Sequence, residues 1–273
     1  MSRPEVITDY YTGQGRILIG KRDPLTGRIY DILKVGNCTA LSVATTVDKT
    51  EHKESWSGDK GNDLTTYKGK SATGKFTAED MGVDLLAMAL WGVTATVAAG
   101  TATDVIAKAV RGGVSVLDHQ NILTTPAPTL TVDVAGTPTP LVDGIDYALD
   151  SPFGTIHWLN PTSGGVIAST AVDDATAVDV TIGYSYGPAK RLEMFTEAVA
   201  PERYIRFEGL NGVDGSARLV EVWKALLDPL SGLEMITEEV GNCEVNFSMN
   251  RASGIVGNNK SKYYRETRVA AAA

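Results

Sequence analysis

Val178-Asp179-Val180-Thr181-Ile182-Gly183-Tyr184-Ser185-Tyr186 decides the fold class. Its valines, isoleucine and tyrosines share one face of an extended chain, and Asp179, Thr181, Gly183 and Ser185 share the other. A period of two with one apolar side marks a strand in an antiparallel sheet that is wet on one face. The alternation recurs at Leu41, Val43, Thr45 and Val47, at Ile205 and Phe207, and at Val245, Phe247 and Met249. Asn211-Gly212 and Asp214-Gly215 separate the runs 204–209 and 217–227, where a hairpin needs residues tolerant of positive φ. The chain therefore reads as mainly β.

One helix interrupts the pattern. Thr77 followed by Asp80 makes a capping box, and Gly92 stands where a C′ glycine belongs. Met81, Leu85 and Met88 repeat at helical spacing, with Leu86 and Leu90 widening a stripe that is expected to pack on a sheet. The polar face lacks Lys and Arg, which argues against a helix lying on a membrane.

The charged stretch 51–63 reads as a long hairpin loop, with Trp56 either folded back on its own domain or held for a partner. Residues 93–190 are rich in Ala, Thr, Val, Gly and Pro and read as a β-rich insertion or subdomain. Within it, Asp146-Tyr147-Ala148-Leu149-Asp150 and Gly154-Thr155-Ile156-His157-Trp158 pair as a hairpin. The core domain is then 15–92 with 191–250, flanked by an N-terminal arm over 1–14 and a C-terminal arm over 251–273. Val35-Gly36-Asn37-Cys38 recurs as Val240-Gly241-Asn242-Cys243, which predicts equivalent bends entering two sheet strands.

The 273 residues suffice for a sizeable core without metal or disulfide staples, and two cysteines cannot form a disulfide framework. Lys+Arg 25 against Asp+Glu 33 gives a net charge of -8, which argues against a protein that grips nucleic acid through its phosphates. No signal-peptide pattern and no apolar run long enough for a membrane span is evident, so a soluble cytoplasmic product is expected. Catalytic patterns fail one by one. Gly69-Lys70-Ser71 has Leu64 where a phosphate loop needs glycine, and Gly13-Gln14-Gly15 has Leu18 at the third position of the dinucleotide fingerprint. His52, His119 and His157 lack metal-ligand spacing, and Asp173-Asp174 reads as a solvated turn. No enzyme activity, metal or cofactor is expected.

Ile17-Leu18-Ile19-Gly20-Lys21-Arg22-Asp23, Val35-Gly36-Asn37 and Glu51-His52-Lys53-Glu54-Ser55-Trp56-Ser57-Gly58 follow one another in a familiar order. Lys75-Phe76-Thr77-Ala78-Glu79-Asp80, the run 85–92, Val142-Asp143-Gly144-Ile145-Asp146-Tyr147 and Phe207-Glu208-Gly209-Leu210-Asn211 continue it. Together these resemble the major tail tube proteins of long-tailed bacteriophages, most strongly over 15–92. The resemblance implies an antiparallel β-sandwich or barrel-like tube subunit with one flanking α-helix and a β-rich insertion. It implies homo-hexameric rings that stack into a tube, with tail terminator, tape measure and baseplate or tip proteins as further partners. DNA would transit the lumen into the host without specific binding, and no membrane is involved. The implied place is the virion tail, assembled in host cytoplasm. Inter-ring contacts would come from Glu51, His52, Lys53, Glu54, Trp56, Asp59, Lys60 and Asp63, with Met81, Leu85 and Met88 packing the helix. Net acidity would keep DNA from adhering to the channel wall. The insertion either decorates the exterior or forms part of the sandwich.

Two alternatives stand beside this. A β-sandwich binding module, adhesin-like or carbohydrate-binding, would use Trp158, Tyr147 and Tyr184 as an aromatic platform. A related contractile machine, such as a secretion or bacteriocin tube, would keep the tube fold.

Overall fold

The computed structural model describes residues 10–160, 165–167 and 177–269. The chain divides into two compact units, Met1–Thr94 with Leu192–Ala273, and Ala95–Arg191. The fold is mainly β, built of antiparallel sheets.

In the first unit, β1 (Gly13–Arg22), β2 (Ile29–Lys34), β3 (Cys38–Lys53) and β4 (Asn62–Ala78) precede helix α1 (Val83–Ala89). After the second unit come β14 (Glu202–Asn211), β15 (Ala217–Leu227), β16 (Cys243–Met249) and β17 (Tyr264–Val269). They join in one eight-stranded sheet of order β2-β1-β14-β15-β16-β4-β3, with β17 also on β15. The sheet branches at β15, which pairs β17 along Ala217 to Val222 and β16 along Ala225 to Leu227. Branching lets the sheet curl, so that Ile17 and Ile19 of β1 share a core with Phe76 of β4 and Val245, Phe247 and Met249 of β16.

The period-two reading holds for β16, with Cys243, Val245, Phe247 and Met249 all buried, whereas on β3 the expected apolar face is corrected, because Val43, Thr45 and Val47 are exposed. The 211–215 turn joins β14 to β15 as expected, with Gly215 at φ +73°. The arm expected over 251–273 is corrected, because its residues 264–269 form β17 and add a strand to the main sheet. Alternation there is weak, since Tyr264, Arg265, Glu266, Thr267 and Arg268 carry mixed polarity on both faces. Of the N-terminal arm, only 10–14 are described, and β1 begins at Gly13.

The repeated Val-Gly-Asn-Cys does enter two strands. Cys38 opens β3 and Cys243 opens β16, and both pair with Ala78, from opposite sides of β4. Two copies of one sequence thus flank one strand end. At the first, a Cβ on Gly36 would lie 2.2 Å from the Asp80 carboxylate, so only glycine allows this approach. Asn37 holds the same segment, its carbonyl accepting from the Glu79 N–H at 2.9 Å and its amide donating to the Glu79 carboxylate.

The helix is shorter than its stripe. Thr77 lies within β4, and the N-cap is Gly82 with no side-chain cap, so the capping box does not form. Strand pairing of Thr77 with Glu244 and Ala40 takes the residue before it can cap. At the other end, the left-handed residue is Trp91 (φ +51°) rather than Gly92. Trp91 N–H donates to Met88 and Gly92 N–H to Ala87, the pair of bonds of a Schellman motif. The Trp91 indole donates to the Leu227 carbonyl at 2.9 Å, which fixes an aromatic where glycine is the usual choice. Leu85 is buried, and Met88 and Met81 pack partly buried on the core, Met81 from just before the helix.

The second unit holds β6 (Gly100–Ala109), β7 (Val114–Val116), β8 (Thr129–Val134), β9 (Thr137–Pro140), β10 (Tyr147–Asp150), β11 (Thr155–Trp158) and β12 (Val178–Tyr186). A four-stranded sheet, β6-β12-β8-β9, and a three-stranded one, β10-β11-β7, share a core of Leu130, Val132, Ile156, Trp158, Val180 and Ile182. The hairpin expected at 146–158 is β10–β11. The connecting strands β5 (Val93–Val97) and β13 (Ala189–Glu193) pair with each other. Asp173-Asp174 lies outside the described residues.

Candidate subunit-contact surface

Beyond Ala72, β4 loses its β16 partner, while the β3–β4 ladder runs on from Thr46–Ser71 to Lys53–Asn62. Eight further residues of β3 at ~3.4 Å each make a two-stranded arm about 27 Å long. Both strands are exposed along it. The loop expected over 51–63 is therefore corrected. Glu51, His52 and Lys53 belong to β3 and Asp63 to β4, leaving only 54–61 as the tip. Charge along these segments hides the strand pattern, because no core dictates which face is apolar.

The arm's ion pairs link neighbours across and along the ladder. His52 Nδ1 meets Asp63 Oδ1 at 2.7 Å, and Lys49 Nζ meets Glu51 Oε1 at 2.6 Å, holding the Lys49 ammonium above its ordinary pKa. At the tip, Glu54 folds the turn. Its carboxylate accepts from the Ser57 hydroxyl, from Ser57 N–H at 2.9 Å and from Trp56 N–H at 2.8 Å, and its own N–H donates to Gly61. Bonds from Ser57 first, and then from Trp56 and Gly61, pull its pKa down to about 2. Gly58 and Lys60 take positive φ, and Asp59 N–H reaches the Ser57 hydroxyl. The outcome is a closed tip that holds Trp56 outward, 87% exposed. Of the two readings of Trp56, folding back is excluded.

At the arm's root lies an apolar groove of about 450 Å³, lined by Val43, Thr45, Val47, Lys70, Ala72 and Met249 together with Tyr263 and Tyr264. Sequence reading missed it because four distant segments build it; only the Val43 and Val47 alternation pointed there. Strands β2, β3 and β17 each have one side unpaired among the described residues. Such edges invite pairing with another chain.

The outer face of β1, β14, β15 and β17 carries a ladder of alternating charge, Arg16–Glu208–Arg206–Glu221–Arg265. Glu221 is buried at 5% exposure, and it accepts from Tyr204 Oη at 2.7 Å and from Arg265 Nε at 2.9 Å. Burial and that bond push the Tyr204 phenol up to about 12. Arg265 also stacks over Trp223, 4.7 Å from the ring centroid.

The other sequence candidates resolve individually. Gly69-Lys70-Ser71 is strand, which continues to Ala78 with no helix directly after the motif. His119 stacks on Tyr186 at 3.7 Å and its Nδ1 meets Tyr184 Oη at 3.0 Å. No group of three metal-ligating side chains occurs among the described residues. The aromatic platform is overturned, because Trp158, Tyr147 and Tyr184 are 2%, 5% and 3% exposed and form the core of the second unit. Alternation places Tyr184 on the apolar face of its strand, and a packed second sheet covers that face. No helix of the described residues is long and apolar enough to cross a membrane.

No curated protein matches the chain. Across residues 10–267 the sequence fits the family described as "Protein of unknown function UCP028589", and the chain belongs to that family.

Proposed function

We propose that the chain is a structural, non-enzymatic subunit of a phage tail tube, six copies closing a ring and rings stacking around a channel for DNA. The observation that carries this reading is the exposed two-stranded arm with its outward Trp56. An isolated two-stranded ribbon is marginal in water, so an arm of this length is built to be covered by a partner. Unpaired edges on β2, β3 and β17 support the same reading, since neighbouring copies in a ring would close them. The order of residue stretches resembling tail tube proteins supplies the identity of the assembly. Tail terminator, tape measure and baseplate or tip proteins are the further partners, and the virion tail is the place.

Electron microscopy of the purified chain at rising concentration tests it. Stacked hexameric rings are expected, and deletion of 51–63 should leave a folded chain that no longer stacks. A strictly monomeric particle at every concentration refutes the reading. The channel is expected to carry more Asp and Glu than Lys and Arg, in keeping with the net charge of -8. An electropositive channel would refute that part alone.

A further inference from the structure

We infer that the tip of one copy inserts Trp56 into the groove of a second copy, between its Val43–Val47 segment and Tyr263–Tyr264. The inference rests on the tube reading for its partner, another copy of this chain, and it names the surface that receives the arm.

Four observations converge on this contact. First, Trp56 is 87% exposed on a tip that Glu54 holds closed, so the backbone that presents the indole has little conformational freedom left to lose. Second, the groove is apolar, has about 450 Å³ of space and exposes Val43 and Val47, which suits one large aromatic side chain. Lys70 lines it, in position to place an ammonium against an indole face.

Third, the charges are complementary. Glu51, Glu54, Asp59 and Asp63 outnumber Lys53 and Lys60 around the tip. No acidic residue lines the groove, and Lys260 and Lys262 flank its Ser261 in sequence. Opposed charges of this kind steer encounter and fix register.

Fourth, the arm cannot reach its own groove. The β3–β4 ladder, which continues from Val47 to Lys53 through register shifts at Asp48/Lys49 and His52/Lys53, places the tip about 20 Å beyond the groove's outer end. The contact is therefore between copies, and it joins two different surfaces. Such a heterologous contact propagates into rings or filaments and does not stop at a two-fold dimer.

Two single substitutions in the full chain separate the halves of the contact. Trp56→Ala removes the tip, and Val47→Asp places a carboxylate in the groove, opposite Lys70 in the ladder. Both residues are exposed, so both variants should match the wild type in circular dichroism. Each alone is expected to weaken self-association by about thirtyfold or more, the loss typical of a central aromatic anchor. Mixed together, they should regain in analytical ultracentrifugation the association that each has lost, in 1:1 stoichiometry, because the intact tip of the groove variant fits the intact groove of the tip variant. The contact should not extend beyond one such pair of layers, because the remaining tip and the remaining groove are both disabled.

Wild-type assembly that persists at full strength in both variants overturns the contact and leaves the tube reading standing. Association through tip and groove into species without rings overturns the tube reading and leaves the contact standing. A wild-type chain that never associates overturns both. A mixture that regains no association while both variants lose assembly overturns the head-to-tail pairing.

Discussion

Gly74 and Phe247 face each other across β4 and β16, at the point where the arm leaves the main sheet. The Phe247 ring lies over the bare glycine. A Cβ at position 74 would sit 2.3 Å from Phe247 Cζ, 2.6 Å from Cε2 and 2.9 Å from the Ser42 carbonyl oxygen. Gly74→Ala by itself would gain about 0.5–1 kcal/mol from a stiffer unfolded chain. Displacing a ring that is 1% exposed costs about 1–3 kcal/mol. The net expectation is destabilisation of about 1–2 kcal/mol. Phe247→Leu, which trades the ring for a smaller side chain, should destabilise by a similar ~1–2 kcal/mol. In the double variant the clashing ring atoms are gone, and only the Ser42 contact remains. Its loss should therefore equal that of Phe247→Leu alone, a coupling of about 1–2 kcal/mol in favour of the pair. Urea unfolding followed by tryptophan fluorescence measures this. A Trp158→Phe background leaves Trp56, Trp91 and Trp223, all in the first unit, as reporters. Losses that add to within ~0.5 kcal/mol would show that the ring does not occupy the glycine's empty side.

Tyr204→Phe should lower stability by about 1–2 kcal/mol near neutral pH, through loss of the bond to the buried Glu221 carboxylate. The Tyr204 phenol is raised above its unfolded value near 10, so its contribution is full below pH 10 and fades as pH rises through about 12. Ultraviolet titration of wild type against Tyr204→Phe should show the missing phenol ionising at that upper end, and loss of an ordinary tyrosine step would contradict it. Burial pushes the Cys38 thiol up to about 11 and raises that of Cys243 as well. Both should therefore resist a disulfide reagent at pH 8 in the folded chain and react within minutes in urea, whereas rapid labelling of the native protein would contradict this. Replacing 98–188 with a short Gly-Ser linker should leave the first unit folded, because its core draws no residue from that span. Loss of its cooperative unfolding transition would count against an independent core.

The β class was legible from short-range pattern. Alternation at 178–186, 205–207 and 245–249 placed strands and their buried faces, because a half-buried sheet imposes a period of two on its own sequence. The Val-Gly-Asn-Cys repeat located two strand entries, since Cys38 and Cys243 both pair with Ala78 at the end of β4. Short-range pattern misled where a longer-range partner prevailed. Thr77 looked like a helix cap and is held in a ladder, Gly92 looked like the left-handed residue and Trp91 is, and 264–269 looked like a loose arm and forms β17.

Chemistry at the candidate surface divides the same way. The sequence alone marked 51–63 as charged, exposed and carrying an isolated tryptophan, because composition reports contact with water. It also determined the absence of phosphate-loop and dinucleotide patterns, which depend on glycines at fixed spacing. Only the tertiary structure decided that this stretch is the end of a long ribbon, that Trp56 points outward, and that Trp158, Tyr147 and Tyr184 are core rather than platform. The groove at the arm's root was likewise beyond the sequence. Its walls come from 43–47, 70–72, 249 and 261–264, segments made neighbours by sheet pairing over long separations, and no local pattern records such pairing.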